Sequence, residues 1–148
     1  MANMNNPEIS LSARRLGLLA AVLGLAGVLF GAFGAHAFKD KLEALHNVDI
    51  WRTAVEYNLA HAVALLAAAI WIELRSQSMG GGQAPGVKAL EWAGYCWAGG
   101  VVCFSGSLYA LALGGPHWLG PVTPLGGLGF LAGWVLVMVA VLQAPNKS

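Results

Sequence analysis

The chain has 148 residues, room for one domain of ordinary size. It carries a net charge of +1 with only 10% Asp, Glu, Lys and Arg, where a soluble domain carries about 25%. Hydrophobic residues make up 57% and glycine fills 20 further positions. Too few polar side chains are left to cover a water-facing surface, which excludes a disordered chain, a coiled coil and a disulfide scaffold and argues against a soluble enzyme. The near-neutral balance provides no basic footprint for nucleic acid.

Four segments are long and apolar enough to cross a bilayer, whose hydrocarbon core asks for about 20 helical residues. The first, Leu16 to Ala35, contains no charge. Arg14-Arg15 before it and Ala35-His36-Ala37 at its end imitate a secretion signal with its cleavage site. The run is long for such a signal, however, and glycines recur through it with helical order, so an uncleaved first span is expected. Phe38, Leu42 and Leu45 then recur at helical spacing among Lys39, Asp40, Lys41 and Glu43. That pattern predicts a short amphipathic helix lying in the membrane interface, with Asp49 capping the next helix.

The second span runs from about Thr53 to Ile72, between Arg52 and Glu73, and Gln77 to Gly86, with Gly80-Gly81-Gly82, reads as a flexible connector. The third span covers about Ala93 to Leu113, ahead of Gly114-Gly115-Pro116. Thr123-Pro124 suggests a helix start, Thr at the cap and Pro at the first helical position. The fourth span follows from Leu125 to Leu142, before Gln143-Ala144-Pro145. The expected fold is all-α: one transmembrane domain over residues 1–148, a four-helix bundle with an interfacial helix between its first two spans.

Orientation follows from Lys and Arg in the short flanks. Arg14, Arg15, Arg75, Lys88 and Lys147 fall on one side, against Lys39, Lys41 and Arg52 on the other. Both termini are therefore expected in the cytoplasm of a cell with an inner membrane. Trp51 and Trp118 at one boundary and Trp71 and Trp92 at the other suit the aromatic belts of a bilayer.

Between helices in lipid there is little hydrophobic drive, so close backbone approach carries the packing. Gly17, Gly24 and Gly31 recur every seven residues in the first span, with Ala20, Gly27 and Gly34 as a second series. The fourth span repeats the device with Gly126, Gly129, Gly133 and Ala140. The plainer reading is packing within the bundle; the sharper one is self-association through the same faces. Cys96 and Cys103 lie two helical turns apart, ~10 Å along an axis. That is too far for a disulfide, and they read as small buried hydrophobes. Neither cysteine has a His or Cys neighbour at metal-ligand spacing, and no metal or cofactor is expected.

Polar groups inside a membrane are costly and so are functional candidates by default. On the second span, Thr53, Tyr57, Ala60, His61, Ala64, Ala67 and Ala68 share one face, expected to point into the bundle. Arg52, Glu56, Leu59, Val63, Leu66 and Ile70 share another. An Arg52–Glu56 pair would snorkel to the headgroups. His61 lies ~13 Å below Arg52 on the helix rise, near the midplane, where an imidazolium is expensive and the ring is read as neutral. Ser105, Ser107 and Tyr109 on the third span, His36 at the end of the first and Thr123 before the fourth complete the set. Together they suggest a polar pocket opening to the non-cytoplasmic side. Hydrogen bonding between helices is the plainer explanation, a ligand or proton site the sharper. Haem between His36 and His61 is disfavoured because their depths differ by roughly 10 Å. A Ser–His–Glu catalytic set is disfavoured because Glu56 and His61 are expected on different faces.

Several stretches resemble a known family. Gly31-Ala32-Phe33-Gly34-Ala35-His36-Ala37 and Thr53-Ala54-Val55-Glu56-Tyr57 with His61-Ala62 match its first half. Phe104-Ser105-Gly106-Ser107-Leu108-Tyr109-Ala110-Leu111 and Trp118-Leu119-Gly120-Pro121-Val122-Thr123-Pro124-Leu125-Gly126-Gly127 match its second. Over about residues 12 to 142 the chain is similar to the domain of unknown function 423 family, small inner-membrane proteins resembling transmembrane protein 256. The resemblance implies four spans in a bacterial inner membrane or a mitochondrion and points to His36, Tyr57, His61, Ser105, Ser107, Tyr109, Thr123 and Pro124. It implies no particular activity, substrate or cofactor. The Gly-rich second loop and Glu56 depart from the family's pattern. The expected role is a non-enzymatic accessory or stabilising subunit of a larger membrane complex, with lipids and a partner assembly or a second copy as contacts. A small carrier or ligand- or proton-binding protein is the alternative, and a membrane enzyme comes third.

Overall fold

The structure, a computed structural model, describes residues 9–78 and 84–144. The triglycine Gly80-Gly81-Gly82, Pro145 and Lys147 lie outside the described residues. In chain order the elements are α1 (Leu11–Ala35), α2 (Lys39–Ala44), α3 (Val48–Ser78), α4 (Val87–Ala112), a single 3-10 turn (His117–Leu119) and α5 (Val122–Leu142). Four helical segments are long and apolar enough to cross a membrane, and α2 is the expected short amphipathic helix between the first two.

The helices overrun the apolar windows that announced them. α1 begins at Leu11 rather than Leu16, and α3 extends from Val48 past Ile72 to Ser78. An apolar run measures only what lies in hydrocarbon, whereas a helix continues into the interface because its backbone hydrogen bonds are internal. Two expected caps are corrected for the same reason. Asp49 sits inside the first turn of α3 rather than at its cap. Thr123 lies inside α5, which starts at Val122 after a Pro121 cap, so its hydroxyl is free to bond elsewhere and Pro124 still falls in the first turn, where no intrahelical N–H is required.

Two helix ends close through left-handed residues. After α2, His46 takes φ 54°, and the Asn47 and His46 amides bond back to the Leu42 and Glu43 carbonyls. After α4, Gly114 takes φ 85°, and the Gly115 and Gly114 amides bond to Ala110 and Leu111. Both are Schellman closures. The N-terminus of α1 is tied to the far end of α3, where the Ser10 amide donates to the Glu73 carboxylate at 2.9 Å.

α1 packs on α3, α3 on α4 and α4 on α5, with a smaller contact between α1 and α4. No comparable contact joins α3 to α5. The bundle is two antiparallel hairpins joined through α3 and α4, and it is open along one side. Its main core runs from Ala13, Leu16 and Ala20 through Leu65, Ile72, Leu90 and Trp97 to Phe130 and Ala140. A second core at the α2 end gathers Leu42, Trp51, Ala54, Tyr109 and Ala112.

Candidate functional site

The inward face of α3 is Trp51, Ala54, Asn58, His61, Ala62, Leu65, Ala68, Ala69 and Ile72, one helical stripe at spacings of three and four. It is rotated from the expected face. His61 and Ala68 stay inside, but Tyr57 is 43% exposed and Ala60 and Ala67 turn outward. Asn58, which fell between the two faces drawn from the sequence, is 2% exposed. The signal for it was present: it is the one amide side chain in the span Thr53–Ile72, and an amide in hydrocarbon demands a partner.

Glycines in α1 create those partners. Gly34 has the Trp51 indole lying against its Cα, which lets the indole N–H donate to the Phe30 carbonyl at 2.9 Å. One heptad earlier, a Cβ on Gly27 would come within 3.2 Å of the Asn58 amide nitrogen, and that amide donates to the Leu23 carbonyl at 2.8 Å. In each case the carbonyl reached is four residues before the glycine, on the surface the missing side chain would have covered. Gly24 and Gly31 meet α3 only at ordinary distance, and Gly17 has open space beside it. In α5, Gly126 lies on the Phe104 backbone, Gly129 faces Cys96 and Gly100, and Gly133 receives the Trp97 indole. The close approaches thus lie within the bundle. Two glycines of α4 not singled out from sequence join them: Gly94 against Leu16 and Gly100 against Phe130.

The expected polar pocket is dispersed over several interfaces. His36 is exposed at the C-cap of α1 and takes no part. Tyr109 is buried among Phe30 and Trp51, and its hydroxyl donates to the Asn58 side-chain Oδ1 at 3.4 Å. Ser107 bonds across to Thr123 at 2.7 Å while donating to the Phe104 carbonyl at 3.0 Å; the Thr123 hydroxyl is then the donor of the shared bond. Ser105 is fully buried, its hydroxyl unpartnered among the described residues. Arg52 pairs with Asp49 at 3.6 Å, and no Arg52–Glu56 pair forms among the described residues. Cys96 and Cys103 are free and half-buried.

Of these residues, Tyr57 and His61 come together on a cleft of about 480 Å³ between α3 and α5. Tyr57 and His61 form one wall, Phe104 of α4 the floor, and Pro124, Gly127, Leu128, Phe130, Leu131 and Trp134 of α5 the other wall. Leu128, Leu131 and Trp134 are half or more exposed on the outer surface, so the cleft opens sideways toward lipid. This corrects the expectation of a polar pocket facing the aqueous side: its lining is aromatic and aliphatic. His61 is 6% exposed and stacks on Phe130 with ring centroids 3.7 Å apart. Its Nδ1 donates to the Tyr57 carbonyl at 2.9 Å, which in a neutral ring leaves Nε2 as an acceptor. Among the described residues Nε2 is buried without a partner, as is the Trp97 indole N–H, whose ring lies 6.2 Å from His61.

Four spans, an interfacial helix and a lateral aromatic cleft define a small polytopic membrane protein. The chain belongs to the family described as protein of unknown function (DUF423), whose model matches residues 30–127. It is 34% identical to the UPF0382 membrane protein YwdK of Bacillus subtilis, covering 85% of this chain and 94% of that one. It is also 34% identical to the UPF0382 inner membrane protein YgdD of Escherichia coli, covering 93% and 97%. A UPF0382 membrane protein of Staphylococcus epidermidis is 36% identical over 85% of this chain and 93% of its own. No solved structure matches.

Proposed function

We propose that the protein works by binding rather than by catalysis, holding a membrane-dissolved molecule in the cleft between α3 and α5. The observation that carries this reading is the pairing of an open, aromatic-walled cleft with a buried imidazole that lacks one hydrogen-bond partner. A volume of about 480 Å³ falls in the ordinary range for small-molecule sites, and buried polar groups are nearly always satisfied. A Cβ on Gly127 would only touch Phe104, at 3.9 Å, so Gly127→Leu fills the cleft without forcing the backbone. The test is extraction in native lipid particles followed by mass spectrometry of the small-molecule content. An apolar compound enriched with the unaltered protein and lost from Gly127→Leu is expected; identical contents for both would refute the reading.

The accessory-subunit reading is kept on a different observation. Gly17, Ala20, Ala21 and Gly24 of α1, with Leu59, Ala62, Val63 and Leu66 of α3, form a shallow apolar notch of about 200 Å³ on the outer surface, smooth enough for a partner helix to approach closely. Gly17→Leu and Gly24→Leu, which crowd that notch, should disrupt a native-gel assembly larger than the monomer if such a partner is held there. Both readings take the protein to sit in a bacterial inner membrane with its termini in the cytoplasm, supported by the Arg and Lys bias of its flanks. A reporter enzyme fused to the C-terminus should be active only if it functions in the cytoplasm.

A further inference from the structure

Among the cavities, side-chain clusters and outer faces of the bundle, the cleft has the most specific unmet chemistry. One buried acceptor on its wall, His61 Nε2, lacks a partner among the described residues, while the neighbouring Trp97 ring, 6.2 Å away at 62°, sets its indole N–H against Gly133 of α5. Trp134, half-exposed on the cleft wall, faces both, with ring centroids 6.4 Å from His61 and 4.9 Å from Trp97. A hydroxyl, which donates, is the complement to that imidazole acceptor. The cleft walls contribute the faces of Tyr57, Phe104, Phe130 and Trp134 and no Lys or Arg, which disfavours a phosphate or carboxylate headgroup and suits a flat ring.

We propose, resting on the binding reading above, that the occupant is a ring-borne hydroxyl on an apolar tail. Its ring stacks in the aromatic cleft, its hydroxyl donates to His61 Nε2, and its tail leaves through the opening toward lipid. Nε2 is closed to solvent, so the hydroxyl reaches it as a side chain of the cleft wall gives way. A carbonyl or an ether at the same place could only accept and would leave the imidazole lone pair unmet. The site therefore prefers a phenol or hydroquinone over the corresponding quinone or methyl ether.

The experiment compares 4-nonylphenol with its methyl ether, 4-nonylanisole, on the full chain in lipid nanodiscs, with empty nanodiscs measuring plain partitioning. The expected result is about tenfold tighter retention of the phenol, equivalent to about 1.4 kcal/mol, together with a shift of the His61 Nε2 signal in ¹⁵N NMR. His61→Phe keeps a ring against Phe130 and should abolish the preference. Equal retention of both probes, lost in Gly127→Leu, would overturn the hydroxyl assignment while leaving the cleft a binding site. Retention of neither above empty nanodiscs would overturn both. The two-probe comparison on the unaltered chain requires no variant to fold.

Discussion

At the scale of single residues, the interior of this bundle is held by side chains that reach backbone carbonyls of a neighbouring helix. Trp51 and Asn58 stand one heptad apart on α3 and donate to carbonyls one heptad apart on α1. Removing Asn58 forfeits the bond to Leu23 and leaves the buried Tyr109 hydroxyl without its acceptor. Hydrogen bonds between membrane helices average about 0.6 kcal/mol, and an orphaned buried partner adds to that. Asn58→Leu is therefore expected to cost about 1–2 kcal/mol in reversible unfolding from mixed micelles. Tyr57→Phe should change stability by less than about 0.5 kcal/mol, because the half-exposed Tyr57 hydroxyl makes no hydrogen bond among the described residues. Equal stability of Asn58→Leu and the unaltered protein would remove Asn58 from the account.

At the scale of elements, glycines that look alike in sequence do different things. The heptad series Gly17, Gly24, Gly31 and the series Ala20, Gly27, Gly34 are equivalent as patterns. Yet Gly34 and Gly27 seat Trp51 and Asn58, whereas Gly17 borders open space. The register of α1 against α3 makes the difference, and register is a property of the pair rather than of either helix. Gly17→Ala should be neutral within about 0.5 kcal/mol. Gly126→Ala, whose Cβ would collide with the backbone of Phe104, should cost about 1–3 kcal/mol through overpacking. Thermal midpoints of the two purified variants in one detergent check this; similar midpoints would mean that the α4–α5 contact is looser than described. α2 was legible because the burial of Leu42 beside charged neighbours is the amphipathic pattern itself. The Arg52–Glu56 pair was misread because spacings of three and four are both within reach on a helix, and the first-turn Asp49 is the nearer partner.

At the scale of the whole molecule, the order of contacts, α1 on α3, α3 on α4, α4 on α5, makes the protein two hairpins that meet mainly along α3 and α4, with a smaller contact between α1 and α4. Each hairpin has its own glycine-to-tryptophan contact, Gly34 with Trp51 and Gly133 with Trp97. A chain divided between Ser78 and Ala84 is therefore expected to reassemble when both halves are made in one membrane, with one tagged half retaining the other through purification. Recovery of the tagged half alone would show that the α3–α4 contact needs the covalent link. Because α5 meets α3 through the rings of Phe130 and Trp134 on Tyr57 and His61 and not through close backbone packing, the aromatic cleft stays open to lipid. That opening is the reason binding from within the bilayer, rather than from water, is the function the architecture supports.

The number of spans, the interfacial helix, the turn glycine at Gly114 and the family were all readable in the linear chain. Each depends on local properties: apolar length, helical periodicity and short motifs that hold wherever the segment lies. What faces what was not readable. Helix rotation moved Tyr57 to the cleft edge and brought Asn58 inside, and register selected Gly27 and Gly34 over Gly17. The polar residues that composition suggested as one pocket, His36, Ser105, Ser107, Tyr109 and Thr123 among them, were divided among separate interfaces. In hydrocarbon every helix surface is apolar enough to be exposed, so periodicity does not say which side is buried. Only the mutual fit of backbones and carbonyls across helix pairs decides that, and it exists only once the helices have packed.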